Sequence, residues 1–348
     1  MGNLLSYSGI VTKVHAMNAK LLTPDNFDEI THLGSVGEVV NYLKNQPAYA
    51  DDFSHLDEHL LHRGDVEKIL IESLYNDYSK LYRFSDMHIR QFLKLYLKRY
   101  EVDLINYCFR IVFNHYDEPF DLNHKKAFFD KYSQISIDKL ITSRTMEELV
   151  ENLKGTEYYT TLKKLQESNA STLFDYDLAL DLYYFSTVWK EKKKILKGKE
   201  LENFTRDCGS KMDFLNLQWI YRAKKYYNMI PADIYALIIP IKYHIHADTL
   251  RELVEAPTAE DYVALVYGTY YGKRYNFEKP LSLESMYTNC LYHLYMADCR
   301  NNPYSIATIN KYLFLKEEEL RKLTTALECI RYDLPPGETL RYMGGVTQ

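Results

Sequence analysis

Three clusters in the sequence have residue types and spacings that chemistry uses. His55, His59 and His62 form the densest histidine set, with Asp51, Asp52, Asp57 and Glu58 beside them. Imidazoles and carboxylates so placed suit zinc or iron. Yet no glutamate follows the first histidine, so the His-Glu-x-x-His pattern that pairs zinc ligands with a general base is missing. These residues read instead as a solvated helix start or a crowded acidic loop, and His244 with His246 reads the same way. Gly268-Thr-Tyr-Tyr-Gly272-Lys273-Arg274 approaches a phosphate-binding loop. It has three residues between the glycines instead of four, arginine where magnesium needs Ser or Thr, and no buried strand before it. It reads as a helix end carrying two glycines. Asp175, Asp177 and Asp181 could serve acid–base chemistry, but they fall where a helix should begin and carboxylates stabilise its dipole. No Ser or Cys has a nucleophile's context. The expectation is therefore no catalytic residue, no cofactor-binding or metal residue and no small-molecule substrate, which shifts weight toward binding or scaffolding.

The elements that would position any such surface are helices. Only 13 Gly and 10 Pro occur in 348 residues, too few for a β-rich or loop-rich chain. Ile89, Leu93, Tyr96, Tyr100, Leu104 and Ile111 keep helical spacing, as do Ile306, Ile309, Leu313, Leu320, Leu323, Leu327 and Ile330. Ser85 and Ser305 are the expected N-caps of these two helices. No period-two run bounded by turns stands out, so no sheet is expected.

The chain also repeats itself. Apolar anchors Ile30, Leu140 and Leu253 are each followed nine residues later by Val39, Leu149 or Tyr262, with an acid just before: Glu38, Glu148 or Asp261. Ser35, Thr145 and Thr258 stand three residues ahead of those acids, the spacing of a helix-start capping box. Tyrosines follow each copy: Tyr49, Tyr158 with Tyr159, and Tyr270 with Tyr271. A second landmark recurs on long helices at Asp103, Asp213 and Glu319. The predicted architecture is all-α, with three helical-bundle repeats of about 110 residues, spanning 1–120, 121–235 and 236–348.

Net charge is −5, which argues against nucleic acid as main partner. The run Lys190, Lys192, Lys193, Lys194, Lys197 and Lys199 reads as a solvated face. Five cysteines without a Cys-x-x-Cys pair fit a reducing compartment. No apolar run approaches the roughly 18–20 residues that span a bilayer, and the N-terminus lacks the pattern of a signal peptide. The opening Met-Gly-Asn-Leu-Leu-Ser fits the bare myristoylation pattern, which six residues match by coincidence. The 33 tyrosines suit boundaries between core and solvent.

The C-terminal third is the most specific part. Asn302-Pro-Tyr-Ser-Ile-Ala-Thr-Ile-Asn-Lys-Tyr-Leu, the Lys316-Glu-Glu-Glu319 run with Arg321 after it, and Leu334-Pro-Pro-Gly-Glu-Thr-Leu-Arg341 resemble the end of the C-subunit family of V/A-type rotary ATPases, related to the d subunit of the eukaryotic V-ATPase. Tyr304 stands where that family has Phe, and Lys322 where Asn is common. The N-terminal stretch from Tyr7 to Leu22, and Asp213 to Asn216 with Arg222 after it, are similar too. The resemblance spans nearly the whole chain and, without long insertions, resembles bacterial or archaeal members. It implies a pseudo-threefold funnel and a non-catalytic rotor adaptor that joins the central-stalk subunits to the membrane ring. Such a chain lies in the cytoplasm, peripheral on the membrane through the ATPase complex, and passes torque for proton or sodium transport. Arg90, Arg222 and Arg321 are the candidate stalk contacts; pairing with acids of their own chain is the equal alternative. The runner-up function is a free-standing helical-repeat scaffold for a soluble partner. A metalloenzyme on a helical bundle would need paired Glu-x-x-His motifs, and the chain has no such pair.

Overall fold

The computed structural model describes residues 2–57, 61–114, 121–168, 172–275 and 282–344. Among these, every regular element is a helix. The chain opens with α1 (Gly2–Asn18), then three short helices, α2 (Pro24–Thr31), α3 (Val36–Lys44) and α4 (Ala50–Phe53), and two long ones, α5 (Arg63–Phe84) and α6 (Met87–Phe113). Next come α7 (Asn123–Tyr132), the short α8 (Ile137–Leu140), α9 (Met146–Asn152) and α10 (Tyr159–Glu167), and the long α11 (Leu173–Ile195) and α12 (Gly198–Tyr227). The last stretch holds α13 (Pro231–Leu237), the short α14 (Ala247–Glu255), α15 (Ala259–Gly268) and α16 (Tyr270–Arg274), the long α17 (Leu283–Asn301) and α18 (Ile306–Arg331), and α19 (Pro336–Met343).

Short helices form only if their ends are satisfied, because nucleation costs more than a few internal bonds return. At α3, α9 and α15 the caps are explicit. Ser35, Thr145 and Thr258 accept the amides of Glu38, Glu148 and Asp261 at 3.2, 3.2 and 3.0 Å. The acids do not close the usual box. Glu38 and Glu148 reach one residue further back, to the amides of Gly34 at 2.9 Å and Arg144 at 2.8 Å. Asp261 instead takes the Thr258 hydroxyl at 2.7 Å. Ser305 caps α18 as expected. Ser85 does not cap α6: its hydroxyl bonds back to Leu81 O at 2.7 Å, closing α5, while Asp86 accepts the Ile89 amide at 2.9 Å. Asp86 holds the position one residue on, and its carboxylate is the stronger acceptor.

The chain packs as two compact units. One unites both chain ends, Met1–Arg90 with Tyr295–Gln348. At its centre α18 touches α1, α2, α3, α5 and α19. Ile309, Leu313, Leu323 and Leu327 of α18 are fully buried there, with Ile30, Val39, Leu43, Val66 and Leu81 also removed from solvent. Each such side chain stabilises the fold by about 1.5–3 kcal/mol before entropy is counted.

The other unit, Gln91–Leu294, is built on α12, which packs against α11, α13 and α15. Phe214, Leu217 and Ile220 of α12 are fully buried, and Phe204 meets Phe92 edge-on at 5.4 Å. Gly209 of α12 marks a close approach. A Cβ there would fall 2.4 Å from the Tyr243 ring. Gly209→Ala should therefore destabilise the chain by about 1–3 kcal/mol in urea unfolding, despite alanine's better helix propensity. An unchanged or raised midpoint would mean that the ring swings aside freely.

Candidate partner-binding site and the carboxylates behind it

Three buried carboxylates on long helices hold the short helices in place. Glu319 of α18 is 4% exposed. Its Oε1 accepts the Tyr49 hydroxyl at 2.5 Å and Lys316 Nζ at 3.0 Å, and its Oε2 accepts the Leu22 amide at 2.6 Å. Lys316 also donates to the Tyr49 hydroxyl at 2.9 Å. One side chain thus pins both the entry to α2 and the start of α4.

Glu101 of α6 repeats the arrangement. It accepts the Tyr158 hydroxyl at 2.6 Å, just before α10, and the Ser133 hydroxyl, just before α8. Asp213 of α12 accepts the Tyr271 hydroxyl at 2.8 Å from α16. It also takes the amides of Tyr243, His244 and Ile245, just before α14, at 3.3, 2.7 and 3.2 Å. The residue three before each acid is Lys98, Ser210 or Lys316; Lys98 pairs with Glu157, next to Tyr158.

A carboxylate out of water is tolerated only when donors replace the lost hydration. Burial raises the pKa of Glu101, and the bonds from Ser133 and Tyr158 pull it back. Burial raises Asp213 likewise, opposed by the His244 amide, the Tyr271 hydroxyl and the other two amides. The hydroxyls of Tyr49, Tyr158 and Tyr271 are pushed up by burial and then by the neighbouring carboxylate, so they remain donors.

These tyrosines, with Asp213 and Glu319, belong to the repeat visible in the sequence. In α6 the anchor is Glu101, not Asp103, which stands half exposed and pairs with Arg99 at 3.1 Å. A two-residue slip in a helix turns a side chain by more than half a turn, which decides between buried and wet.

The three candidate arginines lie in different settings. Arg90, half-buried, donates from Nε to Tyr82 O at 3.1 Å and lies over the Tyr82 ring at 5.0 Å, bracing the α5–α6 turn. Arg321, exposed, forks onto Glu318 at 2.9 and 3.0 Å and reaches Met343 O at 2.9 Å, tying α18 to α19. Arg222 is exposed at the rim of an apolar groove of about 480 Å³ whose walls include Phe174, Leu178, Trp219, Tyr227 and Met229. Of the three, Arg222 sits among the residue types that dominate protein–protein contacts.

The other clusters singled out by sequence have structural posts. His62 caps α5, its amide bonded to Asp65 Oδ2 at 3.2 Å; His55 is exposed beyond α4. His59 and Glu58 lie outside the described residues. His244 stacks on Tyr270 at 3.7 Å, and its amide serves Asp213. Asp175 closes the capping box of α11 with Thr172, and Asp181 pairs with Arg99 at 2.9 Å. Gly268 ends α15, and Thr269 caps α16 through the Gly272 amide at 3.2 Å. No group of three metal-ligating side chains occurs among the described residues, and no helix there is long and apolar enough to cross a membrane.

The described residues thus form an all-helical fold in which buried carboxylates join long helices to short ones. Residues 10–342 match the family described as ATP synthase (C/AC39) subunit, and the chain belongs to that family. Its members are non-catalytic accessory subunits of the rotary ATPase. The C subunit of the A-type ATP synthase of Methanosarcina mazei is 27% identical over 235 residues, covering 67% of this chain and 63% of that relative. That of Methanocaldococcus jannaschii is 26% identical over 278 residues, 78% of this chain and 67% of the relative. That of Archaeoglobus fulgidus is 23% identical over 346 residues, 98% of this chain and 97% of the relative.

Two outcomes follow from the anchors. Tyr158→Phe should cost about 1.5–3 kcal/mol in chemical unfolding, the range for a hydrogen bond to a charged group; an unchanged midpoint would contradict the anchor. Asp213 has a folded pKa above its unfolded one, so the folded state holds its proton more tightly. Its contribution is greatest at low pH and is lost as pH rises above about 4. Asp213→Asn cannot titrate, so its stability relative to the natural chain should improve from pH 4 to pH 8. A gap that stays constant with pH would show that Asp213 is not perturbed.

Proposed function

We propose that this chain is the rotor adaptor of a V/A-type ATPase, seated between the central stalk and the membrane ring. It transmits torque that couples ATP turnover to proton or sodium transport. It has no chemistry of its own to perform and lies on the cytoplasmic side, held to the membrane through the complex. The family match over residues 10–342 supports this, as does the naming of its archaeal relatives as A-type ATP synthase subunits.

The observation that carries the reading is the set of three anchors. A torque element must resist shear between its helices, and each anchor ties a short-helix set to a long helix by charge-assisted bonds inside a packed core. The recurrence of acid, tyrosine and entry-segment donor supports three repeats, 1–120, 121–235 and 236–348, closing around a common axis as a funnel. Each repeat lends its long helix to the short helices of the next. Arg222, Arg90 and Arg321 are the proposed stalk contacts. Arg222 leads, because it is exposed beside an apolar groove lined by Phe174, Trp219 and Tyr227.

A tagged chain recovered from native membranes after gentle detergent extraction should bring down head, stalk and ring subunits together. Arg222→Glu should cut stalk recovery about tenfold, equivalent to about 1.4 kcal/mol, with thermal stability unchanged. Recovery of soluble proteins alone would contradict the adaptor reading and favour a free-standing scaffold.

A further inference from the structure

The lysine run from Lys190 to Lys199 lies at the tip of one helical hairpin. α11 ends at Ile195 and α12 begins at Gly198, so residues 190–199 form the bend, with Gly198 at φ +51. Six lysines and one glutamate occupy these ten positions in a chain of net charge −5. Lys192 turns inward, 1% exposed, over the Trp189 ring. Lys190, Lys193, Lys194, Lys197 and Lys199 are all exposed. Lys194 reaches Glu191 at 4.0 Å and Lys199 reaches Glu202 at 3.9 Å, both at the limit of an ion pair.

Helix electrostatics account for only part of this. Lys193 and Lys194 complete α11, where the negative end of the dipole favours cations. Lys197 and Lys199 stand at the N-cap and first turn of α12, where the positive end disfavours them. Buried Val188 and Leu196 hold the bend against the unit, so the five charges project from a fixed support.

From this we infer that the α11–α12 tip is a contact for anionic phospholipid headgroups. All five exposed cations are lysines. Ammonium groups on flexible stems suit a diffuse, mobile array of negative charge, whereas fixed carboxylates or single phosphates are better gripped by arginine's planar fork.

The test uses the full isolated chain and sedimented vesicles, either neutral phosphatidylcholine or the same lipid with roughly a third phosphatidylglycerol. No other subunit is present, so this contact and the adaptor reading fail separately. The natural chain should bind the anionic vesicles and release as salt is raised. At about fivefold per lysine, the four replacements in the variant Lys190→Gln/Lys193→Gln/Lys194→Gln/Lys197→Gln should together weaken binding about 600-fold. A matched variant, Lys131→Gln/Lys139→Gln/Lys154→Gln/Lys164→Gln, has the same net charge and should keep its binding, with both variants checked for helix content. Equal binding to neutral and anionic vesicles would overturn the inference, as would equal losses in the two variants.

Discussion

A carboxylate sealed inside a helical core must be given donors, and Glu319 draws them from both ends of a distant stretch of chain. The Leu22 amide and the Tyr49 hydroxyl bracket α2 and α3, and Lys316 neutralises the charge. Removing the acid would leave a buried ammonium and two unpaired donors, and removing the donors would leave a buried charge. The two sides are therefore obligatory partners. The unit that joins residues 1–90 to residues 295–348 is organised around that obligation. Glu101 and Asp213 impose it again on α8–α10 and α14–α16.

This arrangement suits a part whose work is mechanical. Apolar packing is strong but indifferent to small slips, because its energy follows area. A hydrogen bond to a buried charge is directional and weakens steeply when misaligned. Long helices laid on apolar faces and then locked by such bonds resist sliding without need of a catalytic centre or cofactor. Tyr49, Tyr158 and Tyr271 suit this design, since each ring fills the core while its hydroxyl reaches the acid.

Local features were readable from the sequence because they depend on neighbours a few residues apart. Ser35, Thr145 and Thr258 cap helices as the Ser/Thr-x-x-acid spacing implies, and Ser305 does too. Asp86 displaced Ser85 because two adjacent capping residues compete and spacing alone does not choose. Non-local features were not readable. Glu319 and Tyr49 stand 270 residues apart, and no periodicity joins them. Glu101 was hidden behind Asp103, since both are acids and only the helical phase tells which is buried. Arg90 and Arg321 lie on long helices, yet the carbonyls that engage them belong to Tyr82 and Met343, which no charge pattern marks.

Mechanical coupling is tested by ATP-driven ion uptake in membrane vesicles carrying the assembled complex, with and without this chain, alongside ATP hydrolysis in the same samples. Without the chain the head should still hydrolyse ATP while ion uptake falls to background, and adding purified chain should restore uptake. Uptake that continues at its full rate in the chain's absence would rule out a rotor adaptor.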